Sequence, residues 1–359
     1  MPNTPETRAE ARRLRDLFAA RGAQVVKADV LQSADTLLDL YGEDIRARAY
    51  LTSDPLRGEM VLRPDFTVPV VQMHMDSQAD PARYTYSGKV FRKQETDETR
   101  ANEYVQVGYE VFDGQNPAAA DAEVFAAIAD GLAGLRVRAA TGDIGILTAA
   151  VRGLRTTDAR KAALLRHIWR PGRFKALLKR YASDKMPPVR AALLAASDPF
   201  ADVGQEIGLR GRDEVAARIK ALRDDAAQPP ISADEVMLID AILDLRETTP
   251  NVLSHLRDIA VDMPAIGHAV VRMESRVAAL DARGVDVDKL EFEGSYGRTS
   301  LEYYDGFVFG FYATDRPDLP PVATGGRYDA LTSRLGKGRA VPAVGGVIRP
   351  DLALGVRDA

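Results

Sequence analysis

The chain has 359 residues, with 48 Lys and Arg against 52 Asp and Glu, a formal net charge of −4 and no Cys. Without thiols there are no disulfides, no Cys-ligated zinc or iron–sulfur centre and no Cys nucleophile, and the charge balance argues against the broad basic footprint of a non-specific nucleic-acid binder. At about 100–200 residues per domain, the length fits two or three units. The 4 histidines, His74, His167, His255 and His268, stand far apart with no H-E-x-x-H or His-x-His spacing, so no metal centre is expected. No cofactor is expected either. No run approaches the roughly 18 apolar residues of a membrane span, and the N-terminus has no apolar signal core. The expected location is the cytoplasm, with no membrane contact.

In chain order, the spacing of Ala9, Leu14, Leu17 and Phe18 predicts an amphipathic helix from Thr4 to about Arg21. A Thr-Pro-Glu cap starts it, Gly22 stops it, and a short strand from Ala23 to Ala28 should follow. Met60-Val-Leu-Arg-Pro reads as a strand ending at Pro64, with a new element after it. Tyr84 to Phe91 and Tyr104 to Phe112 are rich in aromatic and β-branched residues and bracket the charged stretch Arg92 to Glu103. This predicts a long hairpin, or two sheet strands, with a polar loop. Ala118 to Leu135 predicts a helix and Val137 to Ala140 the start of a strand. From about Thr156 to Thr249 the texture changes to Ala, Leu and Arg at helical spacing, with Pro-Pro pairs at 187–188 and 229–230. A further helix is expected from about Ala265 to Arg283, ending at Gly284, before sheet returns at Lys289–Phe292, Thr299–Thr314 and Pro342–Ile348. The expected organisation is an α+β core, residues 1–155 and 251–359, with a helical insertion at 156–250 spliced into it.

Three polar clusters interrupt segments that otherwise read as sheet, and buried polar groups need partners. The first is Arg63-Pro-Asp65-Phe-Thr67. The second is Phe91-Arg92-Lys-Gln-Glu, followed by Asn102-Glu-Tyr-Val-Gln106-Val-Gly-Tyr-Glu110-Val-Phe. The third is Ser300-Leu-Glu-Tyr303-Tyr304-Asp, with Gly325-Gly-Arg327-Tyr328-Asp329 beyond it. On a strand, Gln106, Gly108 and Glu110 share one face, while Val105, Val107, Tyr109 and Val111 share the other. Spacing alone leaves two readings open: a functional surface, or the solvated face of an antiparallel sheet. Gly-Gly-Arg-Tyr-Asp is likewise open to reading as a glycine turn. Arg170-Pro-Gly-Arg-Phe-Lys-Ala-Leu-Leu-Lys-Arg-Tyr181 is either the solvated face of a helix or a local nucleic-acid patch.

Taken together, these clusters resemble the histidyl-tRNA synthetases, class II aminoacyl-tRNA synthetases, over roughly residues 1–140 and 260–350. Phe91-Arg92 with Gln106-Val-Gly-Tyr-Glu110-Val-Phe is similar to the family's motif 2, and Leu62-Arg-Pro-Asp-Phe-Thr67 to its amino-acid-recognition segment. Leu301-Glu-Tyr-Tyr304-Asp and Gly325-Gly-Arg-Tyr-Asp are similar to its two histidine-specific motifs. The resemblance implies an antiparallel sheet core flanked by helices. It also implies that Asp65, Thr67 and Gln106 face the amino group of a bound histidine, and that Glu110 and Tyr304 face its imidazole. Tyr303 and Tyr328, in the histidine-specific motifs, join the candidate histidine-binding set. Arg92 corresponds to the arginine that grips the α-phosphate of ATP and the ligand carboxylate, a task suited to a planar fork of donors.

The departures fall on catalytic parts. Thr299 stands where the family has an activating arginine, and Arg298 beside it would point to the opposite face if the segment is a strand. Gln94 replaces the acidic residue of motif 2, with Glu95 one position on. In motif 3, Pro342-Ala-Val-Gly345-Gly-Val-Ile matches, but Leu352 stands where an ATP-binding arginine belongs and Arg349 comes three residues early. Asp65 is shorter than the family's Glu, and Phe66 is bulkier than its usual neighbour, which leaves the pocket's shape open. The chain stops at Ala359, so no anticodon-binding domain is expected.

The combination resembles the synthetase-like regulatory subunits of ATP phosphoribosyltransferase, which work with the short-form catalytic subunit in the first step of histidine biosynthesis. It implies no catalytic residues, a short-form catalytic partner, L-histidine as allosteric ligand, and a homodimer within a hetero-oligomer. The alternative is a truncated ligase that forms histidyl-adenylate with Arg92 and Arg298.

Overall fold

The computed structural model describes residues 4–41, 49–77, 79–94, 100–201, 203–204, 208–298 and 303–357. Its strands are β1 (Gln24–Val25), β2 (Leu31–Ser33), β3 (Leu51–Asp54), β4 (Gly58–Leu62), β5 (Ala82–Phe91), β6 (Glu103–Phe112), β7 (Val137–Asp143), β8 (Arg246–Thr248), β9 (Glu291–Glu293), β10 (Phe307–Ala313), β11 (Ala323–Arg327) and β12 (Ala343–Ile348). Among the described residues, nine of these form one sheet in the order β1-β5-β6-β12-β11-β10-β7-β9-β8, and β2-β4-β3 form a small second sheet. The middle of the large sheet, from β5 to β7 in that order, is antiparallel throughout.

The expected hairpin is present: Ala82 pairs with Phe112 and Phe91 with Glu103, so two ten-residue strands run in unbroken register. The alternation read in β6 also holds. Val105, Val107, Tyr109 and Val111 pack with Phe18, Phe125 and Ile128 on one side of the sheet, whereas Tyr104 and Phe112 belong to the core on the other. The first side is closed by the helices Pro5–Ala19 and Pro117–Gly131. Thr4 caps the former by accepting from Thr7 N, and Asn116 caps the latter by accepting from Ala119 N. Phe125, at 2% exposure, sits among Phe307, Phe309 and Phe311 with ring centroids 5.2–6.3 Å away. Truncating such a ring to Ala costs about 3–5 kcal/mol, so this layer holds the sheet in place.

Between β7 and β8 the described residues contribute helices and no strand, from Ile144–Gly153 to Ala233–Asp244. On the helix Pro171–Tyr181, Phe174, Leu178 and Tyr181 are buried while Arg173, Lys175, Lys179 and Arg180 are exposed, the pattern of a solvated basic face. Several expectations need correction. The first short strand covers only Gln24–Val25. The sheet expected over Thr299–Thr314 begins at Phe307; Thr299 to Glu302 lie outside the described residues, and Arg298 ends a turn. Gly325-Gly-Arg is no turn but the end of β11, after which Asp329 opens a helix.

Candidate functional site

The segment after β4 is pinned at two points so that the residues between them face inward. Arg63 donates from Nε to Lys89 O at 2.8 Å and from Nη1 to Ala28 O, and its guanidinium lies 4.0 Å from the Phe66 ring centroid. Phe66 in turn stacks on Tyr86 at 4.3 Å. Pro64 ends the strand, the helix Thr67–Ser77 starts, and Asp65 and Thr67 are left facing the sheet. The bulk of Phe66 is thus used against Tyr86, not in the pocket.

Asp65, Thr67, Arg92, Gln106, Glu110, Tyr303, Tyr304 and Tyr328 all line one cavity of about 500 Å³, within the usual range of roughly 300–1,000 Å³ for small-molecule sites. Three of these residues come from the β5–β6 hairpin, two from the segment after β4, and three from the chain on either side of β10 and β11. The solvated-face reading of β6 is therefore overturned: Gln106 is 3% exposed and Glu110 1%. Its polar face meets a cavity instead of water.

Glu110 is the floor of that cavity. Its Oε1 accepts from Tyr86 OH at 2.8 Å and Thr67 Oγ1 at 3.1 Å, and its Oε2 accepts from Tyr328 OH at 2.6 Å. Burial pushes its carboxyl up to about 7; the three hydroxyls pull it back, and nearby Asp65 adds to the rise. Burial and Glu110 together hold the Tyr86 and Tyr328 phenols well above their ordinary value. Two glycines make the arrangement possible. A Cβ at Gly108 would meet the Tyr86 ring at 2.1 Å, and one at Gly345, directly across from Glu110 on β12, would lie 1.4 Å from Glu110 Oε2.

Above the floor, Tyr303 donates to Thr67 Oγ1 at 3.4 Å and meets Tyr304 and Tyr328 edge-on. Gln106 lines the same cavity, and its Oε1 is buried with no hydrogen-bond partner. The mouth has the opposite character. Arg92, Lys93, Arg100 and Arg349 line it, and Arg92 Nε donates to Pro64 O at 2.8 Å. Acceptors below and cations above suit a small zwitterion that carries a further N–H group.

Sequence reasoning missed part of this wall. Arg349, set aside as out of register, lies over Tyr104 at 4.1 Å and lines the mouth, whereas Leu352, reached by counting, packs in the helical layer across the sheet. Its place directly after β12 was the available signal. Gln94 also lines the mouth, and Glu95 lies outside the described residues. Arg298 does not line the cavity. It is buried against the helical segment, with Nε donating to Ile168 O at 2.7 Å, so the expectation built on strand alternation does not apply to it. Among the described residues no three His, Asp or Glu side chains gather as metal ligands.

The histidyl-tRNA synthetase family model matches residues 2–222 and 213–351. Curated relatives called ATP phosphoribosyltransferase regulatory subunit include one from Mesorhizobium japonicum, 29% identical over 98% of this chain and 98% of its own length. Another, from Allorhizobium ampelinum, is 31% identical over 92% of this chain and 93% of its own. A crystal structure described as an ATP phosphoribosyltransferase regulatory subunit/histidyl-tRNA synthetase from Bacillus halodurans superposes with a TM-score of 0.69 at 20% identity, covering 99% of this chain and 79% of that one. A histidyl-tRNA synthetase from Nostoc superposes at 0.64 with 15% identity, covering 98% and 72%. At such identities the superpositions carry the fold.

Proposed function

The chain belongs to the histidyl-tRNA synthetase family and, within it, to the ATP phosphoribosyltransferase regulatory subunits, and from that premise we propose that it senses L-histidine in the cavity above Glu110 for a short-form catalytic partner. The observation that carries this reading is the gathering of the buried Gln106, with its Oε1 unpartnered, and the buried Glu110 in the wall of one cavity. An unmatched buried acceptor costs free energy until a donor arrives, and histidine brings two kinds, an ammonium and an imidazole N–H. Asp65, Thr67 and Gln106 would take the ammonium, Glu110 and Tyr304 the imidazole, and Arg92 the carboxylate, with Tyr303 and Tyr328 closing the sides.

The subunit itself is non-catalytic in this reading. Arg298, next to the position where the resembling synthetases keep their activating arginine, spends its guanidinium on Ile168 O, which supports binding without adenylate chemistry. Histidine regulates the partner by favouring one quaternary state, a coupling typically of about 1–3 kcal/mol, and the chain works as a homodimer within that hetero-oligomer. Co-expression with a short-form catalytic subunit tests this. The expected result is co-purification of an active complex that histidine inhibits. Separate elution, or activity and inhibition unchanged by this chain, refutes it. Purified chain should show no histidine-dependent ATP–pyrophosphate exchange.

A further inference from the structure

A second cavity, about 220 Å³ in volume, opens within the helical segment and shares no residue with the first. The ends of the helices Pro171–Tyr181 and Arg212–Ala226 and the start of the helix Pro188–Ala195 surround it. Its back wall is fixed. Arg160, 6% exposed on the helix Asp158–Arg166, donates from Nε to Asp225 Oδ1 at 2.6 Å, from Nη2 to Asp225 O at 2.8 Å and from Nη1 to Pro229 O at 2.7 Å. Tyr181 O accepts from Ile231 N at 2.9 Å, and the guanidinium carbons of Arg160 and Arg180 lie 5.2 and 4.6 Å from the Tyr181 ring centroid. Arg223 donates from Nε to Leu194 O at 2.9 Å and from Nη2 to Ala196 O at 2.6 Å, which ties the helix Pro188–Ala195 to its neighbour. These bonds set the shape of the cavity before anything enters it, which lowers the cost of binding.

The charges on this frame do not balance. Arg160, Arg180, Lys185 and Arg190 line the cavity against Asp184 and Asp225, an excess of two positive charges in a chain whose net charge is −4. Arg160 already engages Asp225. Among the described residues, Arg180, Lys185 and Arg190 form no ion pair with any carboxylate. A concave site lined by one sign of charge concentrates counter-ions of the other. Its excess matches a dianion: a phosphomonoester carries about −1.5 to −2 near neutral pH and offers three acceptor oxygens, whereas a carboxylate brings a single charge. The volume falls below the roughly 300–1,000 Å³ of ordinary small-molecule sites. It admits a phosphoryl group on a short carbon body and leaves no room for a nucleotide.

We propose that this cavity binds the dianionic phosphoryl group of a small phosphorylated metabolite, gripped by Arg180, Lys185 and Arg190 with Arg160 behind them as a fixed positive charge. The basic run at residues 170–181 thereby divides in two. Arg173, Lys175 and Lys179 stay on the open face of their helix, while Arg180 serves the cavity. The site is independent of the histidine reading of the first cavity.

Isothermal calorimetry of the full chain with glycerol 3-phosphate tests the proposal, with glycerol and acetate as controls. The wild type should bind glycerol 3-phosphate and neither control. A double variant, Lys185→Gln with Arg190→Gln, removes two side chains that form no ion pair in the free protein. It should melt at the wild-type temperature and bind about a hundredfold more weakly, roughly tenfold for each charge-assisted contact. Arg349→Gln, at the mouth of the first cavity, should bind as the wild type does. No binding to the wild type at about 10 mM ligand, equal binding of acetate, or unchanged affinity in the double variant overturns the proposal. So does a loss of binding in Arg349→Gln with none in the double variant, which would put the phosphoryl group in the first cavity. A short RNA that binds where glycerol 3-phosphate does not also refutes it, and would return the basic helix to its nucleic-acid reading.

Discussion

Glu110 offers the sharpest test of the site, because its burial makes a signed, quantitative demand. The carboxyl is 1% exposed and is pushed from 4.5 up to about 7. A pKa raised in the folded state means that the folded protein keeps a proton which the unfolded chain releases. Stability from this group is therefore full below about pH 4.5, falls as pH rises, and levels off above about 7. At about 1.4 kcal/mol per pH unit, the total loss is about 3 kcal/mol. Glu110→Gln keeps the shape and removes the titration, and the Tyr86, Thr67 and Tyr328 hydroxyls can rotate to suit an amide. Asp305, also raised by burial to about 6, acts in the same direction, and His74, lowered by burial to about 4, in the opposite one. Both are present in the variant and cancel in the difference. Urea unfolding of the two proteins from about pH 4.5 to about pH 8 should show the variant gaining on the wild type by about 3 kcal/mol. Parallel curves would mean that Glu110 is ionised throughout, and the account of the cavity floor would be wrong.

Histidine binding should release up to about half a proton at pH 7, since the ammonium and imidazole N–H favour ionised Glu110; calorimetry in two buffers of different ionisation enthalpy reads this, and no buffer dependence contradicts it. Gln106→Leu removes an unpartnered acceptor, so it should leave the ligand-free protein as stable or about 1 kcal/mol more stable while weakening histidine binding tenfold or more. A stability loss with unchanged affinity would reverse the assignment. Gly345→Ala puts a methyl on Glu110 Oε2, 1.4 Å away in the present geometry, and should cost about 2–4 kcal/mol in thermal unfolding. Arg327→Met leaves Asp121 buried beside Arg276 alone, at 3.5 Å, and should cost about 3–5 kcal/mol by denaturant titration; a loss under about 1 kcal/mol would show that the network is not needed.

The strands that build the site were legible because their periodicity is local. Val105, Val107, Tyr109 and Val111 alternate with Gln106, Gly108 and Glu110, and the hairpin register follows. What covers the polar face was not legible: the donors to Glu110 arrive from 24, 43 and 218 residues away, and the same alternation would serve a solvated sheet. Gly325 and Gly326 signalled a turn on composition, yet they sit in a strand because a Cβ at Gly325 would meet the Phe309 ring at 2.2 Å. That is a packing requirement, visible only once β10 lies beside β11. Of the small sheet β2-β4-β3 only β4 was read, at Met60-Val-Leu; β2 and β3 escaped notice because they are three and four residues long and mostly exposed, too short for a period to show. Counting along a motif located Leu352 but gave no direction, and Arg349 reaches the cavity from directly beyond the end of β12.

The cavity floor depends on parts of the chain that never touch it. Arg327, at the end of β11, donates to Asp121 Oδ1 from Nε at 3.0 Å and from Nη2 at 2.8 Å, and to Pro117 O from Nη2 at 2.7 Å. Arg276, on the helix Gly267–Asp281, reaches the same Asp121 and donates to Asp143 Oδ2 at 2.8 Å, at the end of β7. Tyr328 follows Arg327 directly, so this network fixes where the hydroxyl that meets Glu110 can be. A buried ion network contributes little net stability compared with an apolar core of the same shape, and its value here is positional. The aromatic layer on the far side of the sheet supplies the free energy that lets a carboxylate, an unpartnered amide oxygen and four charged side chains stay buried. Local consistency is given up on one face of β6 and made good on the other, as expected where a fold carries a binding site.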